Sequence, residues 1–419
     1  PYPVAISVHS KWIGMEYPMI CFNGGRPEAD GTYSEGTKYG MWGVIIHEVG
    51  HNFFPMIINS DERQWSWMDE GLNTFVQYLT EQEWERGYPS RRGPAYLIAD
   101  YMRGDKKRIS PIMTNSEQII QFGPNAYAKP ASALSILRET VMGPELFDYA
   151  FKEYAQRWAF KSPEPADFFR TMEDASAVDL DWFWRAWFYG IEHVDVALND
   201  IRVYRLKSGD PDADAPLDRL EAAQDKPVPV TVLRNQDEGR VPRESRIQDL
   251  EDLYSSNDRF TVTNKDRNEA TKAYKKLEPW EQAVLARALE DEPMFYFLDF
   301  ENVGGVPSPI PLEINYEDGS SRRVMIPAEI WRRNAKNVTH RLVEAKPIAY
   351  VQIDGKHQTA DADYANNRFP PEIRASRLKT YKRDRKTRNL MADLLVELKK
   401  KSGEGAEQGE SVELEAVQD

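Results

Sequence analysis

Cysteine is nearly missing from this sequence: Cys21 stands alone among 419 residues. One thiol cannot close an intramolecular disulfide, so a fold stapled by such bridges is excluded. Cys21 lies in the apolar run Met19-Ile20-Cys21-Phe22 and reads as a small buried hydrophobe rather than a nucleophile. No apolar run approaches the ~20 residues that a membrane-spanning helix needs. An excess of positive charge is also lacking. The formal net charge is −14 at pH 7, which argues against nucleic acid as a partner, because phosphates need a basic surface. There is no internal repeat, and any secretory leader is expected upstream of Pro1. The chain opens at Pro1 inside strand-like sequence, so it reads as a fragment or a processed product.

What is present is ordinary for a globular protein, with a hydrophobic fraction of 41% and an aromatic fraction of 11%. The length allows two or three domains. Residues 1–198, rich in Trp, Tyr, Phe and Met, read as a short strand region followed by helices. The best strand is Met15 to Phe22, with Asn23-Gly24-Gly25 as its exit turn. Thr37 is the expected cap of a helix from about Tyr39 to Phe54. Further helices are predicted at about 69–84, 127–141, 144–158, 165–175 and 179–189. Residues 199–292 read as a linker with a polar helix over 266–290. Residues 294–355 alternate apolar and polar in short runs around the turn Glu317-Asp318-Gly319-Ser320, the pattern of a small β-sandwich, which sets a β domain over 293–372. Residues 373–419 read as a basic helix and an acidic, disordered tail.

One motif carries chemistry. His47-Glu48-Val49-Gly50-His51 is HExxH. On a helix the two histidines lie one turn apart on the same face, so both imidazoles reach one Zn²⁺ ion. Glu48, beside the first ligand, is placed to act as a base on water. Zinc needs a third protein ligand, and Glu70 supplies it after eighteen intervening residues. Chance would produce this pattern about 0.002 times in a chain with 6 His and 68 acids. The apolar run Gly43-Val44-Ile45-Ile46 buries the helix, and unpaired histidines there would be costly. Hydrolysis also needs a donor for the oxyanion, and spacing alone does not find it.

HExxH with Glu70 so spaced, extended by Asn52-Phe53-Phe54, Trp65, Trp67 and Asp69-Glu70-Gly71, resembles the membrane alanyl aminopeptidase and leukotriene hydrolase family of gluzincin metallopeptidases. Gly14-Met15-Glu16-Tyr17-Pro18 resembles that family's GxMEN exopeptidase motif, and Tyr127-Ala128-Lys129 its Tyr-x-Lys segment. Gly143-Pro144, Asp167-Phe168 and Trp182 to Trp187 resemble its helical support. The resemblance covers about residues 14–190, and a looser one covers 294–370. It implies that Glu16 binds the free α-amine of the substrate, with Gly14 and Met15 lining the edge strand beside it, and that Tyr127 hydrogen-bonds the oxyanion. The sequence departs from the family pattern at Tyr17, Pro55, Asp69 and Pro130, none of which removes a catalytic side chain. Asp361 to Asn367 resembles a segment ending the β domain of bacterial relatives and reads as a solvated strand end.

The fold expected is α+β: a thermolysin-like zincin catalytic domain, an immunoglobulin-like β-sandwich and a disordered tail. The function expected is a zinc aminopeptidase with one Zn²⁺ per chain, acting on peptides with a free N-terminus. A gluzincin endopeptidase and a catalytically idle zinc-stabilised scaffold are the alternatives. The resemblance further implies an upstream β domain and export to the cell envelope or periplasm, with the cytoplasm as the other option.

Overall fold

The computed structural model describes residues 3–11, 14–224, 226–247, 250–291, 293–373, 375–376, 378, 380 and 388–402. It is a mixed helix-and-sheet structure. Three short strands come first, β1 (Ile6–His9), β2 (Gly14–Tyr17) and β3 (Ile20–Asn23), in the spatial order β1-β3-β2. β2 runs antiparallel to β3 with Glu16 opposite Cys21, and β1 runs parallel to β3. Cys21 is buried, its thiol directed at the Ile6 carbonyl.

Helix α1 (Glu35–Gly50) packs on β2 and β3. Its cap is Ser34, whose hydroxyl accepts the Thr37 N–H at 3.1 Å. The helix therefore starts earlier than the expected Thr37 cap, which instead lies in its first turn. It also stops earlier, at Gly50, and Asn52–Ile57 continues as a wide turn carrying Pro55, whose ring cannot extend a helix. A second wide turn, Trp67–Gly71, leads into α2 (Leu72–Trp84).

The helices α3 (Ala99–Met102), α4 (Lys129–Ile136), α5 (Pro144–Trp158), α6 (Pro165–Ser176) and α7 (Asp181–Trp184) close around an aromatic core. Trp67 stacks on Phe169 at 5.8 Å, and Phe169 on Trp184 at 4.6 Å. Gly143, at φ 82°, ends one helical stretch, and Pro144 opens the next. This core fixes the base on which the site stands.

Strand β4 (Val196–Arg205) crosses the boundary expected at residue 198, because it pairs along its whole length with β5 (Met294–Asn302). Its outer half is exposed, which hides its strand character in the sequence. Between these paired strands the chain makes a helical excursion: α8 (Pro211–Gln224), α9 (Val230–Asp237), α10 (Leu253–Ser256), α11 (Asn264–Tyr274) and α12 (Pro279–Asp291). The single polar helix expected over 266–290 is two, broken ahead of Pro279. None of these helices has a buried residue.

The remaining strands are β6 (Ile310–Tyr316), β7 (Ser321–Ile326), β8 (Asn337–Glu344), β9 (Ile348–Ile353) and β10 (Arg368–Phe369). They form two sheets, β4-β5-β8 and β10-β9-β6-β7, which share one apolar core containing Leu198, Leu298, Phe300, Leu312, Ile314 and Val351. The segment Asp361 to Asn367 corrects its sequence reading: Asp361 and Asn367 are buried. Asp361 accepts the Val196 N–H at 2.9 Å, and Ala362 donates its N–H to Val194, so this segment ties the β unit to the helical one. Burial pushes the Asp361 carboxyl up to about 7.

Helix α13 (Leu390–Ser402) covers part of the basic segment, and Asn389 just before it donates to Thr32. The expected disordered tail, residues 403–419, lies outside the described residues. No helix among the described residues is long and apolar enough to cross a membrane.

Candidate metal centre and active site

The last turn of α1 and the residue that caps it bring His47 and His51 onto one face, and the turn before α2 brings Glu70 to them. His47 Nε2 lies 3.0 Å from Glu70 Oε2 and 3.1 Å from His51 Nε2, and His51 Nε2 lies 3.3 Å from the same oxygen. Each imidazole is held from behind. His47 Nδ1 meets Gln77 Oε1 at 2.9 Å, and His51 Nδ1 meets the Phe54 carbonyl at 2.8 Å. Both partners are acceptors, so both rings carry Nδ1–H and turn Nε2 inward, where it holds a proton shared with Glu70 or, with a cation bound, offers its lone pair. Asp69 Oδ1 sits 2.9 Å from His51 Nδ1 but off its N–H axis.

Three electron-pair donors this close repel unless they share a proton or a cation. Their separations also match a tetrahedral zinc site, where bonds of ~2.05 Å give ligand–ligand edges of about 3.3 Å. The residues present therefore fit the metal. In the protein alone, Glu70 holds its charge against burial, because hydrogen bonds with His47 and His51 lower its carboxyl to about 2. Burial raises Asp69.

Glycines let these parts approach. A Cβ on Gly50 would lie 2.1 Å from Asn73 Oδ1, and Asn73 donates to the His47 carbonyl at 2.8 Å, pinning the end of α1 to α2. A Cβ on Gly71 would lie 2.6 Å from Pro130 Cγ, so the Glu70 turn packs directly on the Tyr127 segment.

Glu48 is buried, and its Oε2 has no hydrogen-bond partner. Burial raises its carboxyl to about 7; His51 opposes the shift, and Glu16 and Glu70 add to it. A Cβ on Gly14 would lie 2.2 Å from Glu48 Oε1, so strand β2 passes against this carboxylate with no room for a side chain. Glu16, on the same face of β2 as Gly14, brings a carboxylate oxygen within 4.8 Å of ligand-type atoms of Glu48 and His51. Met15 lies on the opposite face of the strand and is exposed, so only its backbone borders the site. The Tyr127 hydroxyl donates to Glu70 Oε1, and its ring stacks on His47 with centroids 5.7 Å apart. Burial, then the Glu70 charge, raises the Tyr127 pKa.

All the residues expected from the sequence thus meet at one place, apart from the side chain of Met15. The peptidase family M1 domain profile matches residues 14–187. Residues 14–187 are a peptidase family M1 domain.

Glutamyl aminopeptidase of Sus scrofa is 26% identical over 172 residues, which are 39% of this chain and 18% of that protein. Alanine/arginine aminopeptidase of Saccharomyces cerevisiae is 24% identical over 144 residues, 33% of this chain and 17% of that protein. The matched part therefore spans less than a fifth of either relative. Among solved structures, Legionella pneumophila aminopeptidase A in complex with aspartic acid aligns with a TM-score of 0.45 at 12% identity, covering 80% of this chain and 29% of that one. A Deinococcus radiodurans M1 zinc metallopeptidase bound to a Tyr-Ser-Ala substrate aligns with a TM-score of 0.34 at 17% identity, covering 45% and 40%.

Several parts of the M1 domain site escape sequence reasoning. Asn73 and Gln77 follow Glu70 by three and seven positions, so the helical repeat that places Glu70 also places them on its face. Gln77 in turn donates to Gly43 O at 3.1 Å and Glu81 Oε1 at 2.7 Å, which fixes its carbonyl towards His47. Arg91 and Arg92 reach the site from an irregular loop, with no periodic signal to mark them. They line a cavity of about 390 Å³ that opens beside His47, Glu48 and Tyr127. Lys129, two residues past Tyr127, is fully buried and donates to the Gly190 carbonyl at 2.9 Å, a structural role.

Proposed function

We propose that this chain is the catalytic part of a zinc aminopeptidase, with one Zn²⁺ held by His47, His51 and Glu70. The observation that supports it best is the convergence of three inward-facing donor atoms 3.0–3.3 Å apart. Zinc in such a set supplies Lewis acidity, polarising a scissile carbonyl and acidifying water. Glu48, buried with one oxygen unpartnered, takes a proton from the attacking water and passes it to the leaving amine. The Tyr127 hydroxyl donates a hydrogen bond to the oxyanion as it forms. Glu16 accepts the substrate's N-terminal ammonium in a charge-assisted hydrogen bond, so cleavage removes one residue at a time.

In this reading the residues before Val196 are a thermolysin-like catalytic unit and the two-sheet unit, which begins with β4, is an immunoglobulin-like sandwich. The sheets' shared core and antiparallel pairing support the second assignment. An endopeptidase would have no use for a carboxylate at Glu16, and a non-catalytic scaffold none for Glu48.

Matched peptides with free and acetylated N-termini test the proposal. The free form should be cleaved with far higher kcat/KM, and Glu16→Gln should shrink the difference by weakening only that form. Equal cleavage of both peptides would leave the endopeptidase reading in its place.

A further inference from the structure

The cavity beside the zinc-ligand histidines has a direction. At one end are Gly14 and Glu48; from there it runs past His47 and Tyr127 and along the N-terminal half of α1, to the loop that carries Arg91 and Arg92. Glu16 is not part of its lining. If the amine is held at Glu16, the rest of a peptide leaves the scissile bond through this cavity. The inference that follows rests on that part of the proposed function.

Two guanidinium groups close the far end. Arg92 is half-buried, with Cζ 4.2 Å from the Tyr127 ring centroid. Arg91 comes within 3.7 Å of where a Cβ of Gly40 would stand. Neither is in an ion pair or hydrogen bond with any described residue. A carboxylate in the same lining, Glu81, is already occupied: its two oxygens accept from Gln77 and Ser90. Burial works against the Arg92 charge, while Tyr127, Glu70 and Glu81 favour it from a distance. Arg92, partly withdrawn from water and lacking a fork-matched acceptor, is set to receive an anion from outside, and Arg91, exposed beside it, adds a second guanidinium to the same anion's path.

Lengths say which anion. Gly40 is seven residues before His47 on α1, so Arg91 stands roughly 10 Å along the helix from the ligand. An extended peptide advances ~3.3 Å per residue, which puts Arg91 two to three residues beyond the scissile bond. Arg92, beside Tyr127, stands closer. We infer that Arg91 and Arg92 recognise the free C-terminal carboxylate of short peptides, making the chain selective for substrates with only one to three residues after the cleaved bond. Glycines at 40 and 43 leave the α1 wall bare along this path, and a Cβ on Gly43 would already press on Glu81 Oε1 at 3.2 Å.

Binding rather than turnover tests this. In the zinc-loaded Glu48→Gln chain, calorimetry should show Ala-Ala-Ala binding about 10–100-fold tighter than its C-terminal amide, the range expected for a charged hydrogen bond. In an added Arg91→Gln, Arg92→Gln pair the acid-to-amide ratio should fall below about threefold, and Arg92→Lys should keep part of it. Equal affinity for acid and amide, an unchanged ratio in the double variant, or no binding of either peptide would overturn the inference. So would full recovery of affinity by Ala-Asp-Ala-amide, which would assign the arginines to an acidic side chain instead. Failure of the aminopeptidase reading shows separately, as equal cleavage of free and acetylated N-termini by the unaltered chain.

Discussion

Gln77 is a sharp place to probe the metal centre, because it touches the ligand and not the metal. Its carbonyl oxygen accepts the His47 Nδ1–H at 2.9 Å, and its amide is fixed by Gly43 O and Glu81 Oε1. Gln77→Met keeps the length and much of the volume but offers no acceptor. His47 then loses the contact that sets its tautomer and orientation, and loss of such an outer contact commonly weakens metal binding by 10–100-fold or so. That corresponds to about 1.4–2.7 kcal/mol of zinc affinity. The same change removes a donor from the buried Glu81 carboxylate, so some loss of melting temperature accompanies it. Competition titration against a chromophoric chelator gives the zinc affinity, and the metal-free melting temperature gives the fold contribution. Wild-type zinc affinity in a folded Gln77→Met chain would refute the claim that Gln77 orients the ligand.

Glu48→Gln should retain zinc and secondary structure while peptidase activity falls by about 10²–10⁴-fold, checked by metal analysis beside a turnover assay. Gly14→Ala should lower kcat by about 10²-fold with zinc content unchanged, because the new methyl would lie 2.2 Å from Glu48 Oε1 and must displace it. Lys129 supplies a pH test. Burial lowers its folded-state pKa from 10.5 to about 7, so between these values the unfolded chain binds a proton that the folded chain lacks. The stability cost of this lysine therefore shrinks as pH rises from 7 to 10.5. Thermal melts should find the Lys129→Met chain gaining less stability than the parent over that window.

The convergence of His47, His51 and Glu70 was legible because its spacing is local and periodic. His47 and His51 are related by one helical turn, and Glu70 follows at a spacing that chance rarely produces. Before residue 190 the longer helices were legible too, while their boundaries were not: Ser34 and Thr37 are both competent caps, and only packing on β2 and β3 decides between them. The cleft arginines lie on a loop whose path nothing in the local sequence dictates. Asp361 misled because its acidic neighbourhood resembles a solvated edge. Its burial depends on Val194 and Val196, more than 160 positions away. The full length of β4 was hidden for the same reason, since its partner strand begins only at Met294.

The helical excursion between β4 and β5 leaves the sheet at Arg205 and returns at Met294, which face each other in the pairing register. A segment attached at two adjoining points acts mechanically as a pendant. Its helices can unfold, swing or be trimmed while the strands beneath remain hydrogen-bonded, and no strain passes to α1 and α2. With no buried side chain on α8 to α12 to hold it, this part should open at far lower free energy than the aromatic core. In hydrogen exchange its amides would be the first to take up deuterium, while those of α1 and α2 still resist.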